Sequence, residues 1–183
     1  NFVNGPKTVT NGVDLFVEYE TDYADGIMTA GLEANYVAKY SVDAYFKGTT
    51  KVADAYECDG YFNINNPCRP IPTMKGKAFV NYRTDAHNFY GAVNYISAYD
   101  DRRATIAGCA NTLTNGVCTE IAAHTTVDAT YTYTWDDAFD ISLSVYNLTD
   151  EQPPFTVWEM NYDAYTHSPL GRFVKAGFTY RMQ

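Results

Sequence analysis

The chain has 183 residues, 17 of them Tyr and 10 Phe, and its 13 Lys and Arg against 22 Asp and Glu give a formal net charge of −9. That length suits one domain with a sizeable core or part of something larger, and the acidic balance argues against nucleic-acid binding, which needs a basic footprint on phosphate. No apolar run approaches the length of a transmembrane helix and mean hydropathy is −0.33; this excludes helical membrane insertion but not a β-barrel, whose strands need only about ten residues, half of them polar.

Along the chain period-two alternation recurs, and helical periodicity is almost absent. The first residues, NFVNGPKTVTNG, have neither a basic start nor an apolar core, so no signal peptide is expected and the chain reads as mature or as a piece of a longer one. In residues 9–19, Val9, Val13, Leu15, Val17 and Tyr19 share a face opposite Thr10, Asp14 and Glu18. After a short turn at TDYADG (21–26), the even positions Ala30, Leu32, Ala34, Tyr36, Ala38, Tyr40, Val42, Ala44 and Phe46 form one apolar face against Glu33, Asn35, Lys39 and Asp43. Such a strand is very long for a soluble sheet. A long loop follows near 48–74.

KAFVNYR then sets Ala78, Val80 and Tyr82 against Lys77, Asn81 and Arg83. Past a short turn at DAHN (85–88), the next strand is mixed, with Phe89, Val93 and Tyr95 on one side and Ile96 on the other, and a second long loop occupies 104–120. TTVDATYTYTW places Val127, Ala129, Tyr131, Tyr133 and Trp135 opposite Thr126, Asp128, Thr130 and Thr132. The short turn DDA (136–138) leads to FDISLSV, where Phe139, Ile141, Leu143 and Val145 alternate with Asp140, Ser142 and Ser144. A third long loop spans 149–170, and the last strand carries Val174, Ala176, Phe178, Tyr180 and Met182 on its apolar side.

Short and long connections alternate strictly, which in an up-and-down meander gathers all tight turns at one end and all long loops at the other. A soluble sandwich has no reason for that asymmetry. Aromatic residues gather where strands meet loops, at Tyr19, Tyr23, Tyr45, Phe46, Tyr95, Tyr99, Tyr133, Trp135 and Phe139, positions that suit a membrane–water interface. The faces opposite the apolar ones carry both signs of charge, with Glu33, Asp128, Asp140, Lys175 and Arg181 among them. They suit a wet lumen, so Leu32, Val127, Tyr131, Leu143, Val145, Val174 and Phe178 are expected to face lipid. The expected fold is all-β: an antiparallel up-and-down transmembrane barrel segment of about seven strands, too few to close.

Four cysteines form two locally spaced pairs, Cys58 with Cys68 and Cys109 with Cys118, each inside a long loop. Local disulfides fit this spacing better than a metal site or free thiols, since neither pair has zinc-knuckle spacing and His87, His124 and His167 lie far off in sequence. Disulfides imply an oxidising compartment. None of the three histidines has a Ser or Cys nucleophile placed beside it, and no catalytic residues and no cofactor are expected.

The run into NLTDEQPP (147–154), the segment YDAYTHSPLGR (162–172) and the final strand FVKAGFTYRM (173–182) resemble the C-terminal end of TonB-dependent outer-membrane receptors. NGVDLFVEY (11–19) resembles that family's recurring barrel strand. The chain departs from the family pattern in ending Tyr180-Arg181-Met182-Gln183 rather than on an aromatic residue, and the family's plug domain and TonB box have no counterpart in it. The resemblance implies that residues 1–183 are the C-terminal part of a barrel of about 22 strands. It implies an outer-membrane active importer of a scarce or bulky nutrient such as a ferric siderophore, a cobalamin or an oligosaccharide. Its partners would be outer-membrane lipid, the nutrient, and the TonB energy-transducing complex acting through the plug. The alternatives are a passive diffusion porin and a soluble secreted sandwich that binds carbohydrate. Ligand-contacting candidates are the loop aromatics Tyr61, Phe62, Trp158, Tyr162 and Tyr165 and the loop charges Arg69, Asp101 and Arg103; against that role stand loop-to-loop packing for the rings and a solvated rim or neighbouring carboxylates for the charges.

Overall fold

The computed structural model describes residues 5–62, 69–101, 120–136, 138–156 and 160–181. Alternating side chains and many aromatic and β-branched residues favour extended backbone, and all regular elements among the described residues are strands. In chain order they are β1 (Thr8–Tyr23), β2 (Gly26–Val42), β3 (Tyr45–Lys47), β4 (Thr50–Ala53), β5 (Tyr56–Glu57), β6 (Tyr61–Phe62) and β7 (Met74–Arg83). These are followed by β8 (His87–Ile96), β9 (Tyr99–Asp101), β10 (Glu120–Ile121), β11 (His124–Trp135), β12 (Phe139–Tyr146) and β13 (Phe173–Tyr180).

Seven strands make one antiparallel meander, in the order β1-β2-β7-β8-β11-β12-β13, with β5 pairing beside β2. Register carries a single row of side chains across the sheet, because directly paired residues share a face. Val17 pairs Leu32, Leu32 pairs Ala78, Ala78 pairs Val93 and Val93 pairs Val127. Farther on, Tyr131 pairs Leu143 and Leu143 pairs Ala176, while Val145 pairs Val174 and Ile141 pairs Phe178. This apolar face is bare: Leu32, Val93, Leu143, Val174 and Phe178 are 43–66% exposed. A sandwich would have covered it with a second sheet.

The opposite face holds hydrogen-bonded polar ladders. Asn35 donates to Asp14 at 2.6 Å, Asn94 to Asp128 at 2.8 Å, Thr130 to Ser144 at 3.0 Å and Thr134 to Asp140 at 2.8 Å. Lys77 lies 3.9 Å from Glu33, and Arg181 pairs with Asp140. Within this row the Phe79 ring lies over Gly31, where any Cβ would strike it. Glu33, Asp128, Asp140 and Lys175 thus share the face expected for them.

β2 corrects one expectation. Its apolar face does not run unbroken from Ala30 to Phe46, because Gly12 pairs Val37 while Asn11 pairs Lys39, leaving Ala38 as an extra residue. This bulge exchanges the two faces beyond it. Lys39 then joins the side of Asn11 and Val13, whereas Tyr40 and Val42 pair Thr10 and Thr8 on the polar side. There the loops bury Val42 to 6% exposure. Strand β2 ends at Val42, and Tyr45 and Phe46 belong to the separate β3–β4 hairpin.

At the short-turn end an aromatic band lies on the apolar face. Phe89 and Tyr131 have ring centroids 4.8 Å apart, Phe139 and Tyr180 4.8 Å, and Tyr23 and Tyr82 6.1 Å. His87, expected in the turn, is the first residue of β8 and joins the band, its Nδ1 2.8 Å from the Tyr131 hydroxyl. Tyr99 leaves the band: it lies beyond β8, 3% exposed among the loops.

Leu143 sits at the middle of β12 on the apolar face. In the intact protein in lipid, Leu143→Arg should cost about 2–4 kcal/mol of folding stability, while Ser142→Arg on the wet face costs about 1 kcal/mol or less. Equilibrium refolding into liposomes measures both, and equal costs would contradict the assignment of faces.

Candidate functional site

The functional end of the sheet is where the long connections meet. The first loop returns through β6 and the second through β9 and β10; these three make a small sheet in the order β10-β9-β6, with β6 parallel to β9. Phe62, Tyr99 and Ile121 form its core at 0–4% exposure. A miniature core of this kind is what lets long loops hold one shape, since their backbone entropy must be offset by burial.

The third loop is clamped onto that core. Tyr99 donates its hydroxyl proton to Asp163 Oδ2 at 2.5 Å, and Thr156 donates to Asp101 Oδ2 at 2.6 Å. Asp163, Asp101 and Thr156 are all at most 2% exposed. Burial and the neighbouring Asp163 carboxylate raise the Tyr99 phenol far above its ordinary range, so it stays a proton donor. His167 Nε2 lies 3.1 Å from the same phenol oxygen, and the His167 ring meets the edge of His124 at 5.1 Å.

NLTDEQPP supplies the foot of this loop. Asn147 takes a left-handed conformation, φ 51°, and its amide brackets Glu151, donating to its carbonyl at 2.8 Å and accepting from its N–H at 2.9 Å. The Asn147 N–H donates to Asp128 on the wet face at 2.9 Å. Asp150, φ 58°, accepts from the Arg172 N–H at 2.7 Å and lies 4.0 Å from the guanidinium. A Cβ at Gly171 would strike the Asp150 carboxylate, so a larger residue there would push that clamp aside. The two limbs are thereby tied at the point where they leave β12 and enter β13.

The residues expected to touch ligand separate into two groups. Phe62 and Asp101 are enclosed in the loop packing, at 4% and 2% exposure, and offer no surface for a ligand. Tyr165 is 61% exposed; its ring lies edge-on to Phe62 at 6.5 Å with Arg69 over it at 5.7 Å. Tyr162 is half-buried and bridges Phe155, itself 64% exposed. Tyr61 lines a hollow of about 300 Å³ with Asp59, Thr73, Tyr99, Asp100 and Glu120. On the wet face a second hollow of about 470 Å³ is lined by Asp14, Phe16, Glu33, Asn35, Lys75 and Lys77. Arg103 and Trp158 lie outside the described residues, as do Cys68, Cys109 and Cys118. Cys58, fully buried, is disulfide-bonded.

Asp163, His167, Thr156 and His124 do the clamping, and sequence reasoning missed all four. No local pattern marks them, since their partners are 43 to 68 positions away in sequence.

An antiparallel wall with a bare apolar face, a wet face and interlocked loops at one end defines the class: a transmembrane β-barrel segment that presents a loop platform. The family model described as TonB dependent receptor-like, beta-barrel, matches residues 1–148, and the chain belongs to that family. It is a family of outer-membrane transporters and receptors, not of enzymes, working with TonB. The match reaches β1 through β12 and complements the resemblance read from the C-terminal stretch. Comparison with curated proteins gives no match, and comparison with solved structures gives none.

Asp150→Ala should loosen the foot by about 1 kcal/mol, the usual net worth of a hydrogen bond, and Asp150→Asn should restore most of it because Asn tolerates the same backbone. Exchange of the Arg172 amide with deuterium reads the difference; equal rates in wild type and Asp150→Ala would remove the clamp.

Proposed function

We propose that this chain is the C-terminal part of the barrel of an active importer in a Gram-negative outer membrane, which carries a scarce or bulky nutrient: a ferric siderophore, a cobalamin or an oligosaccharide. The observation that carries the reading is the conjunction of a bare apolar face and a single loop end, on a chain of this family. β1 and β13 are the edges of the sheet. An edge in lipid leaves N–H and C=O groups unsatisfied at several kcal/mol each, so each edge pairs with a further strand of the same barrel. A plug domain elsewhere in the protein would fill the lumen and receive the pull of TonB.

Nutrient recognition falls to the exposed part of the loop platform. Tyr61, Arg69, Tyr162 and Tyr165 surround it, with Arg103 and Trp158 as further contributors, and partly exposed rings suit stacking on sugar rings or flat chelates. Disulfides Cys58–Cys68 and Cys109–Cys118 hold the first and second loops, each worth about 2–3 kcal/mol on the chain-entropy estimate.

In cells carrying the intact receptor, deleting TonB should abolish uptake of the nutrient while leaving surface binding unchanged. Uptake that persists without TonB would favour a passive porin. Tyr165→Ala and Arg69→Ala should each weaken nutrient binding about tenfold, the effect of a modest hot-spot residue; wild-type affinity in both would move recognition elsewhere. Peptide mapping without reduction should recover the 58–68 and 109–118 crosslinks, and any other pairing would refute them.

A further inference from the structure

One cluster at the loop end has chemistry that nutrient binding does not use. Tyr99 of β9, Asp163 and His167 of the third loop, and His124 at the start of β11 are 0–9% exposed and in mutual contact. A phenol has one proton, and a carboxylate accepts but does not donate. Tyr99 gives that proton to Asp163, so its oxygen accepts the second hydrogen bond from His167 Nε2–H. The tautomer follows: Nδ1 is the lone-pair nitrogen, and it is buried without a hydrogen-bond partner among the described residues. A second proton on His167 would therefore be an N–H with no acceptor among the described residues, on a cation almost shut off from water.

We propose that this cluster is an acid-sensitive latch, which holds the third loop against the second while His167 is neutral and lets it swing out when His167 takes up a proton. Among the described residues, the charged and titratable groups facing His167 are Asp163 on its own loop, Tyr99 from β9, His124 from β11 and Lys75 from β7. His124 and Lys75 oppose a positive charge there and Asp163 favours it; burial is the largest influence, and together they bring His167 down to about 4 from an ordinary 6.5. Because the closed form binds the proton less readily than the open one, the latch is at full strength above pH 6.5 and weakens as the pH falls toward 4. Each pH unit inside that window multiplies the open population about tenfold, and below it His167 contributes no further loss. The foot, Asn147 with Glu151 and Asp150 with Arg172, contains no imidazole. It keeps the loop tethered and supplies the hinge.

The test is deuterium exchange of the intact receptor between pH 7 and 4, corrected for the intrinsic pH dependence of amide exchange, with β12 peptides as internal reference. Protection across 160–170 should fall about tenfold per pH unit below 6.5 and level off near 4, while the reference stays constant. His167→Gln keeps an amide donor for the phenol and should flatten most of the pH dependence, leaving the part that His124, whose pKa burial also lowers, contributes. Tyr99→Phe should lower protection across 160–170 already at pH 7. Wild-type protection that does not change with pH overturns the latch, as does an unaltered slope in His167→Gln. An unaffected loop in Tyr99→Phe does so as well. Should His167→Gln fail to fold, the wild-type slope and Tyr99→Phe decide the matter between them.

Discussion

The constraint on which this structure depends is that a backbone in hydrocarbon has no water to bond with. Every N–H and C=O of a spanning strand must find a neighbouring strand, which forces the chain into one continuous ladder from β1 to β13. Once the ladder exists, its register decides everything chemical about the wall. Because Val93 faces Val127 and Asn94 faces Thr126, a shift of one residue in a single pairing would turn charge toward lipid and valine toward water along a whole strand. The polar ladders across the wet face, such as Asn94 with Asp128 and Thr134 with Asp140, supply a second register lock that needs no apolar burial.

The bulge at Ala38 shows the same constraint being relaxed where it no longer applies. A strand of 16 residues spans about 53 Å, well beyond an apolar band of about 25 Å even when tilted, so the loop end of β1 and β2 projects past the lipid. Below the bulge the apolar face reads Tyr36, Ala34, Leu32; above it the same side carries Lys39 and Asn11. The freed apolar residue, Val42, turns inward under the loops and becomes part of their footing. One extra residue thus converts a membrane strand into the base of a water-exposed platform.

Strand existence, the alternation of short and long connections, and the division of faces were legible because a period of two leaves its mark on every residue of a long strand. Leu143 and Ser144 declare their sides by parity alone. The bulge was invisible for the complementary reason: Tyr40, Val42 and Ala44 continue the even-numbered apolar pattern, and nothing in them says that Ala38 is unpaired. Tyr99 looked like a girdle residue because an aromatic side chain at a strand end serves equally well at a lipid interface or in a loop core, and only the Asp163 hydrogen bond tells them apart. The family resemblance was read where a compact motif, NLTDEQPP with its later Gly171-Arg172, must close a loop foot whose geometry tolerates few residues.

What the loop contacts were not able to announce in sequence is also what gives them their character. Pairs such as Thr156 with Asp101 and Tyr99 with Asp163 are separated by 55 and 64 positions, so their geometry depends on the wall that holds the loop feet together. Their energies are those of hydrogen bonds and a three-residue core, a few kcal/mol at most, whereas the wall is held by ladders along its whole length. Loop and wall therefore open on separate scales: the platform can release and reclose while the barrel stays intact. A receptor requires that separation, because a surface that must admit a ligand cannot be as fixed as the wall that carries it.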